Sequence, residues 1–362
     1  MSLAKITLQN FRNHRESALT ETAHFNLLVG ENGAGKTNVL EAISLLSPGR
    51  GLRRAALIDL ARHPALGEQA PGSAIGASLL EQGQVSARLG TYTEPERPTR
   101  RLVRVNGAEA TAAALSEWHA VSWLTPAMDG LFTDSAGARR RFVDRMTLAI
   151  EPGHARSVSQ YETALRERNR LLEERTDARC LDAKEAQAAQ HGSQIAAARS
   201  ALIARLTDEL SALPPEPFAK PALTYRPGGP TNASDLMASF ARERPRDAAA
   251  GRALTGPHRD ELAVEMASSG IAAALCSTGE QKAMLIAITL AHGALAAEGR
   301  PSVLLLDEVA AHLDPVRRTE LFRRLRAGRA QVWMTGTELA PFDEIAEEAA
   351  VWRVSGGALA GF

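Results

Sequence analysis

Apolar positions recur along this chain at two periods, and the switches between them mark its parts. Ile6 and Leu8 alternate with polar neighbours, and Phe25 to Val29 (FNLLV) is a short, mainly apolar run ending at Gly30, so two strands are predicted before a glycine turn. A helix should follow from about Gly35 to Leu46. It stops at Ser47 to Gly51 (SPGRG), where proline and two glycines cannot sustain helical geometry. Between Ser73 and Val105 the segments SAIGASLL, QVSARLG and RRLVRV have strand character, and a small antiparallel sheet is expected to close at Asn106-Gly107.

From Ala155 to Leu213 there is almost no proline or glycine, and alanine, glutamate, arginine and leucine dominate, which predicts long helices. Tyr161, Leu165, Asn169 and Leu172 fall there at helical spacing. The stretch is too short for a coiled-coil rod, so a compact helical lobe is expected, broken by ALPPEPFAKP from Ala212 onward. Val303 to Leu306 then reads as a buried parallel strand.

Two of these junctions carry chemistry. Gly30, Glu31, Asn32, Gly33, Ala34, Gly35, Lys36 and Thr37 match the phosphate-loop pattern G-x-x-x-x-G-K-[ST], between a predicted strand and a predicted helix. Glycines let backbone N–H groups turn toward phosphate oxygens, and the positive helix end adds about 0.3–2 kcal/mol of favourable field. Lys36 is expected to bridge β- and γ-phosphates, and the Thr37 hydroxyl to ligate Mg2+. The run SVLLLDE ends in Asp307, a candidate metal carboxylate, and Glu308, a candidate general base for an attacking water. Ser277, Thr278 and Gly279 precede an apolar-periodic helix and have two readings: a second anion site, or plain N-capping.

Composition narrows the remainder. The 362 residues carry 42 Lys+Arg against 42 Asp+Glu, so a nucleic-acid partner must be met by local patches rather than by bulk charge. Candidate patches are Arg50, Arg53 and Arg54; Arg97, Arg100, Arg101 and Arg104; and Arg139, Arg140, Arg141 and Arg145. Aromatic residues make up 4%, which argues for contact with a duplex backbone over a stacking groove for single strands. The two cysteines, Cys180 and Cys276, lack metal-ligand spacing. No signal segment or membrane span is visible, and a soluble, unprocessed cytoplasmic protein is expected.

The order of motifs resembles the ABC-type ATPase heads of the SMC class: phosphate loop, long insertion, Ser277-Thr278-Gly279-Glu280-Gln281 at a helix start, Asp307-Glu308 after a strand, then His312-Leu313-Asp314. Within that class LQNFRN (Leu8 to Asn13), GKTNVLEAI (Gly35 to Ile43), RRRFVD (Arg139 to Asp144), ERNRLL (Glu167 to Leu172) and TGPHRDEL (Thr255 to Leu262) are similar to the RecF family of recombination mediators. The resemblance implies an α/β P-loop head with a mixed sheet, split into residues 1–110 and 251–362, around an inserted mainly helical lobe at 111–250. It also implies an ATP- and Mg2+-dependent homodimer in which Ser277 to Gln281, the signature motif, and Asp314, the D-loop aspartate, act across the interface. Arg12 would lie near nucleotide, with a surface ion pair as the alternative. Implied partners are DNA at single-strand/duplex junctions and RecR, with RecO indirectly, in DNA repair, gap processing and the SOS response. Slow, DNA-stimulated hydrolysis would make the protein a switch.

Two departures stand out. Met334-Thr335-Gly336-Thr337 occupies the place of the usual switch histidine, with Thr335 or Thr337 as possible substitutes, and no glutamine lies around Leu124 to Leu131 for a Q-loop. His258 and Arg259 are read as bracing the lobe junction. A transporter nucleotide-binding subunit and an ATP-stabilised scaffold without turnover are the rival functions.

Overall fold

The computed structural model describes residues 2–62, 71–174, 177–214, 216–298 and 300–361. The chain divides into two compact units, residues 1–128 with 289–362, and residues 129–288. The sequence reading placed the joins at 110/111 and 250/251. The first differs because VSWL, just beyond residue 110, is a strand of the first unit's sheet and not the start of the lobe.

The first unit begins with β1 (Ser2–Phe11), β2 (His14–Leu19), β3 (Phe25–Val29) and α1 (Lys36–Ser44). It continues through β4 (Ala74–Glu81), β5 (Gln84–Glu94), β6 (Arg97–Val105), β7 (Ala108–Ala110) and β8 (Ala120–Leu124). The second unit holds α2 (Ala136–Ile150), α3 (His154–Glu173), α4 (Ala178–Ala212), β9 (Pro221–Arg226), α5 (Ala233–Ala250), β10 (Glu261–Met266) and the start of α6 (Thr278–Ala296). The chain then returns to the first unit with β11 (Ser302–Leu306), α7 (Pro315–Ala327), β12 (Gln331–Gly336), β13 (Ala349–Ser355) and β14 (Ala358–Gly361).

Two six-stranded sheets build the first unit. One is antiparallel in the order β2-β1-β4-β5-β6-β7; the other is mixed, β14-β13-β3-β12-β11-β8, with only the β13–β14 pair antiparallel among its described strands. Three strands, not two, precede the glycine turn, because HRESAL folds back on β1. A register shift between Leu3 and Lys5 lets Leu3, Ile6 and Leu8 all face inward despite their uneven spacing. Asn106 and Gly107 both have positive φ, 51° and 84°, and join β6 to β7 where the turn was expected.

FNLLV is apolar but for Asn26 because β12 and β13 flank it on either edge in a parallel sheet, and buried Asn26 is satisfied by donating to the Ala23 and Val332 carbonyls. The α1 residues Val39, Leu40, Ala42 and Ile43 bury against Leu28, Leu305 and Trp333 in one core shared by both sheets. Gln331, at the start of β12, links the sheets by accepting from Leu3 N–H at 3.1 Å and donating to Leu3 O at 3.0 Å.

The second unit is helical as expected, with α3, α4 and α5 packed around Tyr161, Ala164, Ala188, Ala189, Ile195, Leu236 and Phe240. The expected stripe is offset: Tyr161, Ala164 and Arg168 are buried, while Leu165, Asn169 and Leu172 are partly exposed. Arg168 is fully buried and fully engaged. It donates to Glu185 at 2.9 Å, Asp247 at 2.8 Å and the Phe240 carbonyl at 2.7 Å, which offsets the desolvation of its charge.

Candidate functional site

The strands β3, β12 and β11 are adjacent and parallel, so their carboxyl ends open on one edge of the sheet. The phosphate-loop segment leaves β3 there. Gly33 and Gly35 have φ of 80° and 114°, a conformation that favours glycine, and a Cβ on Gly30 would lie 2.2 Å from the Val354 carbonyl oxygen. No side chain caps α1 at Gly35 and no acidic residue occupies its first turn, so the helix presents its amino end directly to the loop. Lys36 Nζ donates to the Gly30 carbonyl at 2.6 Å and the Glu31 carbonyl at 2.9 Å. Burial lowers its pKa, against the opposing fields of Glu308 and Asp307.

Asp307 follows β11 directly and is 6% exposed. Its Oδ1 accepts from Thr37 Oγ1 at 3.0 Å and from Thr335 Oγ1 at 2.7 Å. Burial raises its pKa; the two hydroxyls oppose that shift, Glu308 adds to it and Arg53 opposes it. Glu308 adopts φ 54° and donates its backbone N–H to Thr335 Oγ1 at 2.9 Å. Thr335 therefore braces the Asp307 carboxylate and the Glu308 backbone from within, whereas Thr337 is exposed.

A ring of supporting residues went unassigned in the sequence reading. Asn13 donates to the Ala34 carbonyl at 2.9 Å and accepts from Asn38 at 2.7 Å. The His14 ring lies 3.2 Å from the Gly35 carbonyl and 3.0 Å from Ser17, and Gly357 N–H donates to Ala34 O at 3.0 Å. Asn13 sits in the turn between β1 and β2 and His14 opens β2, where no period distinguishes a brace from a solvated side chain. The Gly356-Gly357 pair, with both φ positive, was the available signal.

Arg12 takes the ion-pair alternative. Its Nε and Nη2 each lie 2.8 Å from a carboxylate oxygen of buried Glu41, and Nη1 donates to the Asp59 carbonyl at 2.8 Å. Arg53 shares Glu41 at 3.3 Å.

In the second unit, Ser277 and Glu280 form a capping box. Ser277 N–H and Oγ lie 2.8 and 2.7 Å from Glu280 Oε2, and Gln281 donates to the Cys276 carbonyl at 2.9 Å. Ser277, Thr278 and Gly279 are exposed, so capping does not remove them from the surface. In the first unit, Asp314 caps α7 by accepting from Arg317 N–H at 3.0 Å.

The arginine clusters divide sharply. Arg50, Arg53, Arg54 and Arg100 are exposed. Arg101, expected to contact DNA, instead clamps the carboxyl end of α1: it donates to the carbonyls of Leu45, Ser47 and Gly49 and to Thr91 Oγ1, and burial pushes it down to about 10. Arg139 is likewise engaged in a two-pronged pair with Glu261 at 2.6 and 3.0 Å, and Arg140 donates to the Asp260 carbonyl at 2.9 Å. These three guanidiniums hold backbone and carboxylates within their own units. The segments RRRFVD and TGPHRDEL meet through the same contacts, and Arg199 joins Asp144 to Asp260. His258, read with Arg259 as bracing the lobe junction, instead lies 2.7 Å from Tyr161 Oη and 3.0 Å from the Ala253 carbonyl, both within the second unit.

Among the described residues no helix is long and apolar enough to cross a membrane. Residues 2–356 match the RecF/RecN/SMC N terminal domain. Two solved structures share the fold: the recombination mediator protein RecF-ATP in the RecFOR pathway (TM-score 0.85, 21% identity, 99% of this chain and 97% of that one), and an SmcHead bound to the C-winged helix domain of ScpA (TM-score 0.57, 14% identity, 100% and 97%). The DNA replication and repair protein RecF of Brucella suis biovar 1 (strain 1330) is 48% identical over 375 residues, 100% of this chain and 96% of the relative. That of Rhizobium leguminosarum bv. trifolii (strain WSM2304) is 43% identical over 371 residues, 99% and 98%. With the nucleotide-loop edge, the mixed sheet and the helical insertion all in place, the chain belongs to the RecF family of DNA replication and repair proteins.

Proposed function

We propose that this RecF-family protein is a cytoplasmic ATP-driven clamp on DNA: Mg-ATP closes a homodimer and slow, DNA-stimulated hydrolysis reopens it. The observation that carries this reading is the convergence of Thr37 and Asp307, 3.0 Å apart, at the edge where the glycine loop and Lys36 lie. Hard oxygen donors, one hydroxyl and one carboxylate, suit Mg2+, which takes its other ligands from phosphate and water. The open amino end of α1 and the glycine loop suit a polyphosphate, and a related RecF has been solved with ATP.

Gly30 to Thr37 would cradle the phosphates, with Lys36 turning from the loop carbonyls to the β- and γ-oxygens. Mg-ATP supplies an electrophilic γ-phosphorus with a stable leaving group. Glu308 would take a proton from water as that oxygen bonds to phosphorus and the bond to ADP breaks, giving ADP, phosphate and a proton. General-base help of this kind is worth roughly 10²–10⁴ in rate. Ser277 to Gln281 and Asp314 of a second copy would complete the site; Ser277, Thr278, Gly279 and Asp314 are exposed and available for it, while buried Gln281 would support them from within. Arg12, held on Glu41, would steady the loop from behind.

DNA would meet the exposed arginines Arg50, Arg53, Arg54 and Arg100, while RecR, and RecO through it, would be the protein partners in gap repair and the SOS response. Light scattering with and without ATP, then with a gapped duplex, paired with phosphate release, tests this. A monomer under all conditions would overturn the clamp; a dimer without turnover would leave an ATP-stabilised scaffold.

A further inference from the structure

The place usually held by a switch histidine is taken by a residue with a different task. Thr335 is the next-to-last residue of β12, between the strand that feeds the glycine loop and the strand that leads into the two carboxylates. It is 0% exposed, and its one hydroxyl makes two directed bonds: it accepts from Glu308 N–H at 2.9 Å and donates to Asp307 Oδ1 at 2.7 Å. Glu308 has φ 54°, a left-handed conformation that a side-chain-bearing residue holds only when its surroundings fix it. The backbone at Glu308 sets where its carboxylate points.

We propose that Thr335 is a positioning residue for hydrolysis: its hydroxyl locks the left-handed peptide of Glu308 and ties it to the metal carboxylate, so that base and metal ligand keep a fixed relation. This rests on the hydrolytic role proposed for Glu308. Thr37 also bonds Asp307 Oδ1, but that hydroxyl would be a ligand to the metal in the nucleotide-bound protein, whereas Thr335, which bonds the Asp307 carboxylate and the Glu308 N–H, would keep both bonds. The branched Cβ adds stiffness, since two substituents restrict χ1. Thr335 touches neither the nucleotide nor water in this scheme, so a γ-phosphate-sensing role passes to no residue of β12.

Thr335→Val preserves shape and removes both bonds; Thr335→Ser preserves both bonds and loses a methyl. ATP affinity should stay within about threefold in both, because the glycine loop and Lys36 are untouched, while kcat in Thr335→Val falls roughly 10²-fold, the scale of a misplaced catalytic group. Thr335→Ser should recover most of the rate. Turnover of Thr335→Val at the wild-type rate, equal impairment in Thr335→Ser, or a loss of ATP affinity in step with kcat would each overturn the assignment. Amide hydrogen exchange at Glu308 is read without nucleotide: slow in wild type and Thr335→Ser, faster in Thr335→Val. Should the wild type show no turnover, the role of Glu308 as base fails, and the exchange rates alone decide: faster exchange only in Thr335→Val upholds the lock, and equal rates in all three proteins overturn it.

Discussion

The hydroxyl of Thr37 lies 3.0 Å from Oδ1 of Asp307, a residue 270 positions away in the chain. That contact exists only when β3 and β11 share a sheet with β12 between them, so the pair proposed to hold magnesium is a product of tertiary folding and has no local precursor.

Lys36→Ala should abolish nucleotide-driven dimerisation. The ammonium is buried and held on loop carbonyls beside two carboxylates, so its removal takes the loop's only described charge of that sign and weakens ATP binding by about 10²-fold, in line with charge-assisted hydrogen bonds. Sedimentation velocity with and without ATP checks it; a variant that still dimerises with ATP as the wild type does would remove Lys36 from the switch.

Glu308→Gln keeps size and backbone and loses the carboxylate proposed as the base. ATP binding should persist, hydrolysis should fall by roughly 10²–10⁴, and the closed dimer should accumulate during turnover. Single-turnover phosphate release together with light scattering measures both, and wild-type turnover would take Glu308 out of the mechanism.

The arginines give a contrast between neighbours in sequence. Arg100→Ala and Arg50→Ala should each lower the slope of log affinity for duplex DNA against log salt by about 1, with no change in melting temperature. Arg101→Gln should do the reverse: the carbonyls of Leu45, Ser47 and Gly49 lose a buried cationic donor, which costs about 2–3 kcal/mol and roughly 5–10 °C. A salt titration and a thermal melt on each variant distinguish the two classes.

His119 predicts an acid sensitivity. Complete burial, reinforced by the charge of Arg300, pushes its ring down to about 4. The folded ring stays neutral where the unfolded one takes a proton, so stability is unaffected above about pH 6.5 and falls as pH drops from there toward 4, by roughly 3 kcal/mol in all. His119→Leu should flatten that decline; urea midpoints at pH 7.5 and 4.5 that fall equally in both proteins would refute it.

The phosphate loop was legible because one physical demand, backbone N–H groups wrapped on an anion, needs glycine, lysine and threonine at fixed offsets. The buried strands ending at Val29 and Leu306 and the long helices α3 and α4 were legible from apolar runs and from the absence of breakers. The arginines were not. Arg100 and Arg101 differ by one strand position and therefore point to opposite faces of the sheet, a parity that a charge cluster does not reveal. Likewise Asn13 and Thr335 act through partners distant in sequence, and nothing in their own neighbourhoods announces those partners. The strand VSWL carries an apolar run too short to separate from a buried helical turn, which is why the expected lobe began too early.

The strand that feeds the nucleotide loop has both of its neighbours, β12 and β13, drawn from beyond residue 330. During synthesis from the amino terminus, FNLLV therefore leaves the ribosome long before either flank exists, and the glycine loop cannot take its folded form until β12 and β13 have emerged. Prematurely terminated products carry the glycine signature yet should remain inert, and chaperone demand should be greatest while that apolar ribbon waits for its late-arriving companions.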